Sequence, residues 1–194
     1  MHKRIPHDVT YLSADKGDLN DPSFRALNPH GKAPVLVDGD FSLFESDAIV
    51  DYLEDGFPQF GPSLWPREAR ARALARRIAL EASAYLYPPL RALVTVWSDP
   101  NAARSAVEEA KPRIKTQLDA FAALLFEPYF TAAGPGAADF AVYPLVALIA
   151  RLDARQPEER LAALVPEPLR AWSQSIEALP GFAATCPPHW RASQ

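Results

Sequence analysis

Residues 28–53 read Asn28-Pro-His-Gly-Lys-Ala-Pro-Val-Leu-Val-Asp-Gly-Asp-Phe-Ser-Leu-Phe-Glu-Ser-Asp-Ala-Ile-Val-Asp-Tyr-Leu53. Two apolar runs, Val35–Val37 and Phe41–Phe44, flank Asp38-Gly39. An Asp-Gly pair between two such runs is a strong hairpin signal, because a type I′ turn needs positive φ at both central residues. Ser46-Asp47 then opens a helical pattern with Ile49, Val50 and Leu53 on one face. Ser46 is expected at the cap and Asp47 in the first turn, where an acid complements the helix dipole. Gly56 and Pro58 supply the stop.

Outward from this stretch the chain changes character near residue 60. Upstream, Asp8–Leu12 carries Val9, Tyr11 and Leu12 and is expected to form a strand. Downstream, Gly, Pro and Phe alternate up to Pro66 in the manner of a linker, assigned to 58–66. Everything beyond is helical in pattern. A long helix over Arg67–Val96 begins behind Pro66 and is bent or broken by Pro88-Pro89. A second covers Ala102–Leu125, and a third, Ala138–Leu152, is apolar on nearly all sides and belongs in a domain centre. A shorter helix near Glu158–Leu164 and a last one over Pro168–Leu179 complete the outline. The fold class is therefore a small α/β unit over residues 1–57 followed by an all-α bundle over residues 67–194.

Composition narrows the function classes. The 194 residues are 48% hydrophobic and 23% charged with a net charge of −4, ordinary values for a globular chain. No basic block points to nucleic acid or to an anionic membrane surface. The most apolar segment, Ala137–Ala150, is too short to span a bilayer. The first residues have no apolar stretch resembling a signal peptide. The single cysteine, Cys186, excludes an internal disulfide and fits a reducing compartment, with the cytoplasm as the expected location. His2, His7, His30 and His189 show no metal-ligand spacing.

The string at 28–53 resembles the glutathione-binding half of the glutathione transferase family: Asn-Pro-x-Gly-Lys-x-Pro, a hairpin, then Glu-Ser-x-Ala-Ile-x-x-Tyr-Leu. The resemblance implies a thioredoxin-like amino-terminal domain ahead of the helical one, with glutathione as co-substrate. It further implies a cis peptide bond before Pro34, which turns the backbone N–H and C=O of Ala33 outward to pair with the cysteinyl part of glutathione like an added strand. The γ-glutamyl carboxylate would sit at the helix N-terminus on Ser46, with Glu45 facing the ligand's ammonium. Lys32 would meet the glycyl carboxylate. Read alone, Glu45-Ser46 is an ordinary cap and Lys32 a solvated loop charge; His30 reads as a surface side chain.

The helical half carries the resemblance less sharply. Pro135–Pro144 is similar to the family's buried capping segment, in which Asp139 is a folding element; Gly136 stands where Ser or Thr is usual, so the reciprocal side-chain cap is lost. The ending Leu179-Pro-Gly-Phe, with Pro187-Pro-His-Trp190, is similar to bacterial members. By the resemblance, Tyr85, Tyr87, Arg91 and Trp97 are candidates for lining the site of a small electrophilic substrate, against core or dimer packing as the plainer reading. The arginines at 67, 70, 72, 76 and 77 read as a solvated face in a region that often meets a second subunit, so a homodimer is expected.

The family's thiol-activating Tyr, Ser or Cys lies between a first strand and a first helix. Here Lys3–Tyr11 aligns with the end of that helix and the start of the second strand, so about twenty residues of a βαβ unit are expected to be missing. No residue is assigned the activating role: Tyr11 and Ser13 lie beyond its position, and a lone Cys186 is more often inert packing. Two functions stand side by side, conjugation of the glutathione thiol to a small electrophile and binding or interaction without transfer.

Overall fold

The computed structural model describes residues 2–14, 16–98, 105–126 and 128–186. The chain divides into two compact units, Met1–Leu64 with Ala183–Gln194, and Trp65–Phe182.

In the first unit, helix α1 spans Pro22–Leu27; Asp21 caps it, accepting from Ser23 N at 2.8 Å, and Pro22 takes the first position. Strands β1 (Val35–Asp38) and β2 (Phe41–Phe44) form an antiparallel pair, and helix α2 (Ser46–Gly56) follows. Asp38 pairs with Phe41, so the turn is centred on Gly39-Asp40, not on Asp38-Gly39. Only Gly39 has positive φ, at 60°, which is the pattern of a type II′ turn with glycine first. Asp8–Leu12, expected as a strand, has no regular structure, and Val9 and Tyr11 are more than half exposed. A β-prone run becomes a strand only beside a partner, and among the described residues none pairs with it.

Polar staples hold this unit. Its buried described residues are Lys3, Asn28 and Leu64. Tyr52 of α2 donates to Asp38 at 2.7 Å, and its ring packs on Phe41 and Phe57. Glu54 gathers three donors: Lys3 Nζ at 2.9 Å, Leu64 N at 2.9 Å and the hydroxyl of Ser63. Burial works against its charge, but the Leu64 N–H, the Ser63 hydroxyl and Lys3 outweigh it and hold its carboxyl below the ordinary glutamate value. The contribution of this anchor is therefore complete above about pH 4.3 and is lost as the pH falls below that. Urea unfolding should show the parent more stable than Glu54→Gln at pH 7, with the gap narrowing as the pH is lowered into the acid range. A gap that does not change with pH would contradict this role.

The second unit is helical. Helix α3 covers Ala69–Glu81, with Glu68 accepting from Arg70 N and Ala71 N as its cap. It starts two residues later than the sequence suggests, because a side chain able to cap lies after Pro66. A π-helical segment, Ala82–Leu86, leads without interruption into helix α4, Tyr87–Ser98. Pro88 and Pro89 thus widen the helix instead of breaking it; proline lacks an N–H and crowds the previous turn, and a π turn relieves both. Helix α5 is Ser105–Leu124, residues 102–104 lying outside the described ones, and α6 is Ala137–Arg155. The helix expected near 158–164 is a pair of 3-10 turns, Pro157–Glu159 and Leu161–Leu164, split by Arg160 at φ 53°. Helix α7 covers Glu167–Glu177, and the short α8, Phe182–Thr185, starts at the last residue of this unit.

The core of this unit joins Leu90 and Leu93, Ile114, Leu118 and Phe121, Val142 and Ile149, and Trp172. Asp139 sits among them, fully buried. Its Oδ1 accepts from Trp172 Nε1 at 2.8 Å and Phe130 N at 3.1 Å, and its Oδ2 accepts from Gly136 N at 3.0 Å. Half of the capping box therefore survives without a side chain at 136. Burial pushes the Asp139 carboxyl above the ordinary aspartate range, against the pull of these donors. Among the described residues no helix is long and apolar enough to cross a membrane.

Candidate functional site

The candidate surface is built from the loop between α1 and β1 and the junction between β2 and α2. In the loop, Arg25 of α1 donates to Pro29 O at 2.9 Å and to Asn20 Oδ1 at 2.7 Å. Asn28 donates through Nδ2 to Lys32 O at 2.7 Å and accepts at Oδ1 from His30 N at 3.0 Å. Gly31 turns at φ 60°, where an added Cβ would lie 2.9 Å from the carbonyl of Leu19. His30, exposed, is not simply solvated: its ring stands edge-on to Phe44 with centroids 5.7 Å apart, tying the loop to the end of β2.

Beyond that loop the Ala33-Pro34 peptide bond is cis. Ala33 precedes the first paired residue of β1, and among the described residues its N–H and C=O have no hydrogen-bond partner. Lys32 is exposed beside it.

At the other end, Glu45 has φ 72° and ψ 117°, and its carbonyl accepts from Ile49 N at 3.0 Å. Glu45 is therefore the cap residue and Ser46 the first residue inside α2, one position on from the expectation. The reason is local: the positive φ takes Glu45 out of the helical region while its carbonyl already begins the ladder. No side chain caps this end, which leaves the first N–H groups of α2 without intrahelical partners. Asp47 is exposed to solvent at its surface, yet partial desolvation first, then the nearby Asp51 and Glu45, raises its carboxyl above the ordinary range. The surface thus offers a strand-like backbone without partners at Ala33, helix N–H groups without intrahelical partners, and a set of neighbouring carboxylates at the start of α2.

The residues named for the electrophile are spread along the helix. Tyr85 lies in the π segment, 61% exposed, and lines an open groove of about 310 Å³ with Pro112, Arg113, Thr116 and Gln117 of α5. Tyr87 and Arg91 stand four apart on α4, on one exposed face. Trp97 is half-buried and packs against the core. Arg67, Arg70, Arg72, Arg76 and Arg77 are all exposed; Arg76 covers the Trp65 ring at 5.4 Å, and Arg77 pairs with Glu81 at 3.4 Å. Cys186 is in no disulfide and is half-buried. His189 and the Pro187–Trp190 ending lie outside the described residues. Among the described residues no group of His, Cys, Asp and Glu could hold a metal ion.

Asn28 is the residue that sequence reading passed over. Its signal is present, an amide directly before a proline and three residues before a glycine, but nothing in a single sequence says which way that amide turns.

The profile of the glutathione S-transferase amino-terminal domain matches residues 1–62. Glutathione S-transferase 3 of Zea mays is 31% identical over 190 residues, which take in 94% of this chain and 83% of the maize protein. Glutathione S-transferase F10 of Arabidopsis thaliana is 35% identical over 94 residues, 48% of this chain; the match spans 43% of that protein, under half its length. Among solved structures, maleylacetoacetate isomerase from Methylobacterium extorquens AM1, with bound malonate and GSH, aligns at a TM-score of 0.72. It is 27% identical, over 94% of this chain and 85% of that one.

Proposed function

The chain belongs to the glutathione S-transferase family, with its thioredoxin-like amino-terminal and helical carboxy-terminal domains, and from that premise we propose that it binds glutathione and conjugates the thiol to a small electrophile. The observation that carries the reading is the pair of unpartnered backbone groups at Ala33, on the same unit as the uncapped N-terminus of α2.

Glutathione is an extended tripeptide with a zwitterionic γ-glutamyl end. Its cysteinyl backbone pairs with the N–H and C=O of Ala33, next to Pro34, as one strand pairs with another. Its γ-glutamyl carboxylate takes the Ser46 hydroxyl and the free N–H groups of α2, where the helix dipole favours an anion. The ammonium of the same group answers Glu45, so the carboxylates that would repel a simple anion here suit a zwitterion. Lys32 receives the glycyl carboxylate. Tyr85, Tyr87, Arg91 and Trp97 contribute to the side that receives the electrophile. The protein works as a homodimer in the cytoplasm, a reading supported by its single cysteine and by the exposed Leu74 and Leu80 beside the arginines of α3.

Retention on immobilised glutathione should be clear for the parent and about tenfold weaker for Ser46→Ala, the loss of one charge-assisted hydrogen bond. Equal retention would remove Ser46 from the site. A second reading is binding without transfer, in which the surface at Ala33 and α2 holds glutathione and no thiol reaction follows. Turnover of 1-chloro-2,4-dinitrobenzene with glutathione decides between the two, since saturable conjugation rules out the non-catalytic form.

A further inference from the structure

One buried side chain controls the candidate surface from behind. Asn28 is 2% exposed and uses its amide in both senses, donating to Lys32 O at 2.7 Å and accepting from His30 N at 3.0 Å. Its backbone N–H donates to Phe24 O and its carbonyl accepts from Gly31 N, each at 2.9 Å, so it is itself locked to the end of α1. The carbonyl of Lys32 and the N–H of Ala33 belong to one peptide unit, and that unit is trans. In a planar trans peptide the two groups point in opposite directions. Pulling the Lys32 oxygen inward with the Asn28 amide therefore drives the Ala33 N–H outward.

We infer that Asn28 is a positioning residue for glutathione, fixing the plane of the Lys32–Ala33 peptide so that the Ala33 N–H meets the tripeptide already oriented. The inference rests on the glutathione reading above. Asparagine suits the task because one planar group both donates and accepts. Aspartate would still accept from His30 N but would set a carboxylate oxygen against the Lys32 carbonyl. Alanine would lose both contacts and free the peptide to rotate, so that glutathione would have to order it on binding. The hydrogen bond also polarises the same peptide unit, which strengthens the outward N–H as a donor.

The test combines calorimetric titration of glutathione with amide hydrogen exchange on the free full-length protein, for the parent, Asn28→Ala and Asn28→Asp. Binding about tenfold weaker is expected for both variants, as for one or two lost hydrogen bonds. The His30 amide should exchange faster in Asn28→Ala and stay protected in Asn28→Asp, while β1, β2 and α2 keep their protection in both. Parent-like affinity in Asn28→Asp would overturn the inference, since that variant lacks only the hold on Lys32. Weak binding with general loss of protection across the unit would overturn it too, reducing Asn28 to a folding element. A parent that fails to bind glutathione sinks the functional reading and this inference with it.

Discussion

Asp139→Ala is expected to cost the helical unit about 4 kcal/mol, because it strands three N–H donors, of Phe130, Gly136 and Trp172, where water does not reach. Each orphaned donor keeps its full desolvation penalty, about 1–3 kcal/mol, and the donors come from three different places in the chain. The residue joins the start of α6 to α7 through the Trp172 indole and to the segment before α6 through Phe130. It also stands against an aromatic cluster: Phe130 meets Phe121 and Trp172 edge-on, with centroids 6.0 and 5.3 Å apart. Asn in the same place keeps one carbonyl oxygen for Phe130 and Trp172 but turns an amide toward the N–H of Gly136. Asp139→Asn should therefore lose about half as much. Urea unfolding followed by far-ultraviolet circular dichroism reads both variants. A midpoint for Asp139→Ala within experimental scatter of the parent would show that the site collapses or hydrates at no cost.

The second large effect belongs to a glycine in the other unit. Gly61 has φ +54°, and a Cβ there would lie 2.5 Å from the Cα of Lys3 and 2.6 Å from its carbonyl carbon. These are backbone atoms, so no rotamer change clears the contact. The left-handed conformation itself adds roughly 1–2 kcal/mol for an L residue, and the overlap adds about as much again. Gly61→Ala should thus destabilise the first unit by about 3 kcal/mol, with the Lys3 segment displaced from Glu54. The burial pattern makes the effect severe: Lys3 and Asn28 are polar, so there is little apolar area to absorb the loss. Partial proteolysis near residues 3–7 should begin in the variant at protease levels that leave the parent intact. An equally resistant variant would mean that the chain shifts past the added methyl freely.

The hairpin, α2 and the helical order were legible because each rests on local signals: apolar runs around a turn, a period of 3.6, prolines and glycines as punctuation. The two-part fold class follows from these and agrees with the architecture. Helix α1 was legible in principle, since Asp21-Pro22 is a cap followed by a first-turn proline, but its single turn and a half has no periodicity to draw the eye. Asp8–Leu12 failed as a strand because pairing is not a local property. Pro88-Pro89 announced a disturbance without saying which; a break and a π turn satisfy the same missing N–H groups. At the candidate surface, Lys32, Ala33, Pro34, Glu45 and Ser46 were proposed only through the family resemblance that the motif carries, while the offset between Glu45 and Ser46 turned on one dihedral angle that no side chain dictates. The direction of the Asn28 amide is of the same kind.

Glu45 shows what such an angle implies over evolutionary time. At φ 72° glycine is the residue that folding alone would choose, and a glutamate there costs the backbone something on the order of 1–2 kcal/mol. Replacement by glycine would relieve that cost and would discard the Glu45 carboxylate. On the glutathione reading proposed above, Glu45 is where a stabilising substitution and ligand binding pull apart.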